Sequence, residues 1–284
     1  EQFTASSPPR HPNAPPVAAP RPPTPRRPYP PNMPRNRRPD LNGVLVLDKP
    51  KGPTSARLCA AVRRLTKGGK VGHAGTLDPL ATGVLVLCLG RATKAISGIM
   101  IGDKRYSAHI DLSAFTSTDD AEGSPIPPDR YTPPLGLPPN QPRAAPRDPS
   151  SPFPSPDEIR RVLADHFIGD ILQRPPDFAA VKVGGRRAYK LARTRDRAAH
   201  THDPAGDPNT EPLRIEPKPV RIHSIDILHA DGPQLVLDVR CGKGVYIRSL
   251  ARDIARALGV SQQNAQVLVH RAREALKTML GDYL

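Results

Sequence analysis

The chain has 284 residues, a formal net charge of +15, 37% hydrophobic residues and 38 prolines. No apolar run reaches the roughly 20 residues of a membrane-spanning helix. Three widely spaced cysteines, Cys59, Cys88 and Cys241, argue for reduced thiols rather than a disulfide framework or a zinc site. A basic balance of this size suits a polyanionic partner, with counterion release as the usual source of affinity.

Residues 1–40 hold 14 of the prolines and seven Arg against one Glu and one Asp. They are poor in large apolar side chains, so burial cannot offset their ordering entropy, and they read as a disordered basic tail. Nothing in the tail resembles the apolar stretch of a secretory signal. Gly43–Leu47 reads as a short strand. Ser55 suits the N-cap of a helix with Leu58, Ala61, Val62 and Leu65 on one face, ended by Lys67-Gly-Gly-Lys70. Residues 72–83 form a Gly-bracketed turn, and Gly83–Leu89 reads as a buried strand.

Ala92–Met100 is expected to be a short helix. Lys104–Leu112 alternates, with Tyr106, Ala108, Ile110 and Leu112 on one face, as a strand does. Residues 124–157 carry another 13 prolines and read as a solvated insertion. Beyond it, Pro156–Phe167 is expected as a helix, Phe178–Val183, Val220–Leu228 and Leu235–Cys241 as strands, and Tyr246–Leu258 as a helix. Val260–Leu284 reads as an amphipathic helix with Val267, Leu268, Ala272, Leu276 and Leu280 on its apolar face. Strands that do not alternate simply with helices point to an α+β fold around a mixed sheet.

The turn Gly72-His-Ala-Gly-Thr-Leu-Asp-Pro-Leu-Ala-Thr-Gly83 presents one carboxylate, Asp78, with no second acid, Cys pair or phosphate loop beside it. Its ordinary role is a turn cap, since Asp accepts backbone N–H bonds and the following Pro presets φ. Its other role is a carboxylate nucleophile. Tyr106 reads either as a core tyrosine or as a wall of a site, and Arg248 as a solvated or phosphate-binding arginine or as a counter-ion.

These segments resemble the TruB family of RNA pseudouridine synthases. The resemblance is carried by six blocks in the family's order, over roughly residues 41–259: Gly43-Val-Leu-Val-Leu-Asp-Lys-Pro-Lys-Gly52; Gly72–Gly83; Asp103-Lys-Arg-Tyr106; Thr116-Ser-Thr-Asp-Asp-Ala-Glu-Gly123; Arg174-Pro-Pro with Ala180-Val-Lys182 and Gly185–Arg193; and Cys241-Gly-Lys-Gly-Val-Tyr-Ile-Arg248. The resemblance implies the pseudouridine synthase fold, a largely antiparallel central sheet flanked by helices around a cleft. It implies a catalytic domain at 41–259 and the isomerisation of uridine in the T loop of tRNA, by base flipping and an Asp nucleophile.

In that scheme Asp78 is the nucleophile and Arg248 its fixed cationic partner, while Tyr106 stacks on the base and assists proton transfer. His73, Lys49, Tyr246 and Lys182 contact the substrate. Lys49 is the foremost of a set of phosphate-contact candidates that also includes Lys51, Lys67, Lys70, Arg91, Lys94 and Arg193. One N–C bond is exchanged for one C–C bond without net oxidation, so no metal or redox cofactor is called for. A cytoplasmic monomer with tRNA as its partner, away from membranes, follows from the same resemblance.

Two departures stand out. Phe178 occupies a position where relatives often carry a polar or tyrosine side chain. After Gly259 the family's strand-turn segment gives way to the helical pattern of 260–284, with no C-terminal RNA-binding domain expected behind it. The rival readings are a non-catalytic tRNA-binding or RNA-folding protein, and a synthase of the same family acting on another RNA.

Overall fold

A computed structural model describes residues 41–113, 115–123, 126, 153–200, 213–260 and 266–271. The expected tail at 1–40, nearly all of the insertion, and Ala272, Leu276 and Leu280 lie outside the described residues.

The first strand, β1 (Gly43–Lys49), leads into α1 (Ser55–Leu65), then into β2 (Val71–His73) and β3 (Thr82–Leu89). Thr54, not Ser55, caps α1: its Oγ1 accepts from the Arg57 N–H at 3.1 Å. Ser55 is the first helical residue and its hydroxyl is used elsewhere. A 3-10 turn (Gly90–Ala95) and α2 (Ile96–Ile101) replace the single helix expected over 92–100. Gly90 takes φ of +57°, and a Cβ there would fall 2.3 Å from the Asn42 side chain, so the bend after β3 demands glycine.

β4 (Lys104–Asp111) follows, with Ala108, Ile110 and Leu112 buried as its alternation requires. After the insertion come α3 (Pro156–His166), β5 (Gly169–Gln173), the short ribbon β6 (Lys182–Val183) and β7 (Arg186–Arg187), and α4 (Ala188–His200). The strand expected over 178–183 is thus confined to its last two residues. Residues 178–181 instead form the seat of α4, with Val181 and Ala179 carbonyls accepting from the Ala188 and Tyr189 N–H groups.

β8 (Lys218–Asp231), β9 (Gln234–Cys241), α5 (Ile247–Ala257) and β10 (Gln266–Arg271) complete the described chain. The main sheet has eight strands in the order β1-β3-β10-β4-β9-β8-β5, with β2 pairing the end of β3 on the edge away from β1. Only the β10–β3 pair is parallel; the others are antiparallel, giving the mixed, largely antiparallel sheet that the sequence foretold.

β10 is the main correction. Residues 266–271 were expected within a helix and instead form a strand in the middle of the sheet. His270 pairs with Thr82 of β3 and with Ser107 of β4. Without this segment β4 would present an open row of N–H and C=O groups and β3 would lose its partner at Thr82 and Gly83, which is costly in mid-sheet. The run Val267-Leu268-Val269 has the β-branched content that such a slot accepts.

α5 is buried along its whole length and packs on α3 and β10. Leu250, Ala251, Ile254, Ala255 and Leu258 supply the apolar spacing of a core helix. The helix closes on Gly259 at φ +70°. The Val260 N–H reaches back to Ala255 C=O at 3.1 Å, a Schellman end whose last residue is itself buried. This helix carries Arg248 at its start. All three cysteines are buried and free.

Candidate active site

Asp78 sits on the turn between β2 and β3, and three residues of the segment joining β1 to α1 hold that turn. Ser55 Oγ accepts from the Leu77 N–H at 2.9 Å and donates to the Leu77 carbonyl at 3.1 Å. The Asp78 carbonyl accepts from Ala81 N–H, and the Pro79 carbonyl from Gly52 N–H. Lys49 Nζ donates to the carbonyls of Pro79 at 3.0 Å, Ala81 at 2.7 Å and Pro50 at 3.0 Å.

Lys49 therefore corrects the sequence reading. Its residue exposure is 0%, and the three hydrogens of its ammonium are spent on backbone carbonyls, which leaves nothing for a phosphate. Burial lowers its pKa, opposed by the nearby charges of Asp78 and Glu122. It is a brace beneath the Asp78 turn rather than a substrate contact.

Arg248 approaches Asp78 from the first turn of α5. Nε donates to Oδ2 at 3.0 Å and a terminal NH2 group to Oδ1 at 3.1 Å, a side-on bidentate pair. The rest of the guanidinium is also used: it donates to the carbonyls of Thr118 at 3.0 Å and Phe178 at 3.2 Å and lies 3.5 Å from the Asp120 carboxylate. The Arg248 side chain is only 6% exposed, whereas that of Asp78 is 42% exposed. The cation is thus fixed in the wall and the carboxylate faces the opening.

Behind this pair the wall is tied together one helical turn along. Arg252 donates to Asp119, Asp253 and the Arg174 carbonyl, and Ser249 Oγ donates to the same carbonyl at 2.8 Å. Arg174, itself buried, donates to Pro175 C=O, Asp177 and Leu213 C=O. Gln173 exchanges two hydrogen bonds with the backbone of Tyr246, fixing the start of α5.

The opening is a cavity of about 420 Å³, within the usual range of small-molecule sites. Asp78, Tyr106, Tyr246 and Arg248 all line it, so four of the expected site residues converge. Burial raises the Tyr246 pKa, with Arg248 opposing and Asp78 reinforcing, so that phenol stays protonated at neutral pH. Two other expectations fall away from the cavity wall. His73 is half-buried at the end of β2, where its Nδ1 donates to the Gly75 carbonyl at 3.1 Å, and Lys182 is exposed on the β6–β7 ribbon.

The site also contains groups that the sequence reading did not assign. Thr118, Asp120 and Glu122 enter from the loop after β4, and Tyr189 from α4; Arg193, read only as a phosphate candidate, lies over the Tyr189 ring at 5.7 Å. The signal for the loop was its run of three acids within Thr116–Gly123. Among the described residues no group of three or more His, Cys, Asp or Glu side chains is placed to hold a metal ion. No described helix is long and apolar enough to cross a membrane.

A family model described as TruB family pseudouridylate synthase, N-terminal domain, matches residues 63–134 and 146–247. The tRNA pseudouridine synthase B of Gluconobacter oxydans is 41% identical over 228 residues, 80% of this chain and 57% of that protein. The Rhodopseudomonas palustris protein of the same name is 38% identical over 227 residues, 80% of this chain and 52% of its own length. The chain thus spans little more than half the length of these relatives. Among solved structures, a chain from the crystal structure of a Cbf5-Nop10-Gar1 complex superposes with a TM-score of 0.52 at 24% identity, covering 82% of this chain and 49% of that one. At that identity the likeness concerns the fold alone.

Proposed function

Because the chain belongs to the TruB family of pseudouridylate synthases, we propose that it converts uridine to pseudouridine in the T loop of tRNA, with Asp78 as the nucleophile. The observation that carries this reading is the bidentate Asp78–Arg248 pair at the wall of a nucleotide-sized cavity. The reaction breaks the N1–C1′ bond and forms C5–C1′; the C5 proton leaves and N1 ends protonated. An anionic carboxylate can trap the substrate covalently while the uracil turns, in the manner of retaining glycosidases.

Arg248 contributes a charge that cannot be lost, and its bidentate grip aims the Asp78 oxygens into the cavity. Tyr106 and Tyr246 offer aromatic faces to an everted base, and each phenol O–H can both donate and accept a hydrogen bond. Extruding the base costs a few kcal/mol, repaid by stacking and backbone contacts. The domain responsible spans residues 41–259 together with β10. The enzyme acts as a cytoplasmic monomer that needs neither metal nor cofactor.

Mapping pseudouridine in unmodified tRNA and rRNA transcripts after incubation with the protein tests the proposal. Product at the T-loop uridine is expected. No product in tRNA despite normal RNA binding overturns it, and product in rRNA alone moves the substrate assignment.

A further inference from the structure

Residues 49–102 carry nine Lys and Arg side chains against a single acid, Asp78, which is already matched by Arg248. Within this segment α1 is unusual. Helices favour acids in the first turn, where the backbone dipole is positive. α3 obeys this rule, with Asp157 and Glu158 in its first turn and His166 in its last. α1 has no acid in its first turn and places Arg57 there instead. Arg57 and Arg64 are two turns apart and project from one side, opposite the buried Cys59 and Val62.

The row continues beyond the helix. Lys67 and Lys70 follow on the connecting turn, and the Lys70 carbonyl accepts from the Gly90 N–H at 2.8 Å, which brings Arg91 alongside. All five side chains are exposed, and none has an acidic partner among the described residues. Several exposed arginines elsewhere are paired, Arg160 with Asp157, Arg221 with Asp170 and Arg214 with Glu216. Thr54, the cap of α1, lines the cavity, so the ridge starts at the site and follows 11 helical residues, about 16 Å.

We propose that Arg57, Arg64, Lys67, Lys70 and Arg91 form a phosphate track that binds the RNA backbone outside the everted nucleotide. The inference rests on the RNA reading above and extends it to a defined face. A row of unpaired cations with no base-sized pocket of its own neutralises phosphates and sets register without reading sequence. Each contact releases counterions, so the track adds to the salt dependence of binding.

The test compares the wild type with the triple variant Arg57→Gln/Arg64→Gln/Lys67→Gln and a charge control on α3, Arg160→Gln/Arg161→Gln. Dissociation constants for full-length tRNA transcript are measured across a salt series, with thermal unfolding to verify that the exposed substitutions leave the fold intact. The triple variant is expected to bind roughly 10-fold or more weakly near 0.1 M salt, with the slope of log K against log salt shallower by about two to three. The control is expected to keep the wild-type slope. A triple variant with wild-type affinity and slope, or a control that loses as much as the triple, overturns the track. Wild-type binding without any isomerisation would instead sink the functional reading and leave the track standing.

Discussion

Arg248 and Asp78, 170 residues apart in the chain, meet side-on through two hydrogen bonds of 3.0 and 3.1 Å, with the guanidinium buried and the carboxylate half open. The asymmetry assigns the roles: the anchored cation belongs to the wall, and the acid belongs to the cavity.

That wall has an energetic consequence. Arg248→Gln strands Asp78 and the buried Asp120 without their cation and leaves two carbonyls with fewer donors. Breaking one side of a buried pair costs about 3–5 kcal/mol. Denaturant unfolding is expected to register a loss of that size together with loss of activity. Arg248→Lys should recover part of the stability but not the bidentate aim.

Lys49 makes a different kind of prediction. Lys49→Met keeps the stem but removes the donor shared by Pro50, Pro79 and Ala81, and stability should fall by about 2–4 kcal/mol. RNA affinity, measured where the variant remains folded, should stay within about 3-fold, because the ammonium does not face a phosphate. A large affinity loss at unchanged stability would contradict the brace.

Glu122 gives a pH dependence. Burial, then Asp120 and Asp78, raise its pKa above the ordinary 4.5, against Arg248 and Lys49, which lower it. A raised carboxyl means that the folded state holds the proton longer, so its contribution is full below 4.5 and is lost as pH rises through the folded value. Glu122→Gln, fixed in the neutral form, should therefore gain stability on the wild type across that window. Unfolding midpoints collected from pH 4 to 8 check the sign; a constant difference would contradict it.

The central position of β10 can be tested through its backbone. Val269→Pro places an imino acid where β10 pairs with β4, and interior strands do not accept proline. A loss of about 3 kcal/mol or more is expected, with faster amide exchange in β3 and β4. Unchanged exchange there would mean that this segment does not complete the sheet.

Local pattern and ordered blocks were enough to read β1, α1, β3, β4, β9 and α5, and to place Asp78, Tyr106, Tyr246 and Arg248 in one site. They failed where the deciding partner is distant. A lysine in a Lys-Pro turn looks like a phosphate ligand until the folded turn aims three carbonyls at it. Residues 266–271 fit a helix by their 3–4 spacing and a strand by their β-branched content. Only the open slot between β3 and β4 chooses between them. β5 and the ribbon were too short to signal, and the acids of Thr116–Gly123 could be seen as a cluster but not oriented without α5.

The central claim is that the Asp78 carboxylate carries out the chemistry while its surroundings bind the RNA. Its most direct test is a single-turnover comparison of wild type and Asp78→Asn on unmodified tRNA transcript, with fold and RNA affinity measured on the same samples. The account predicts conversion of one T-loop uridine by the wild type and a loss of about 10³-fold or more in the variant, with affinity within about 3-fold. An asparagine variant that converts the same uridine at the wild-type rate would contradict it.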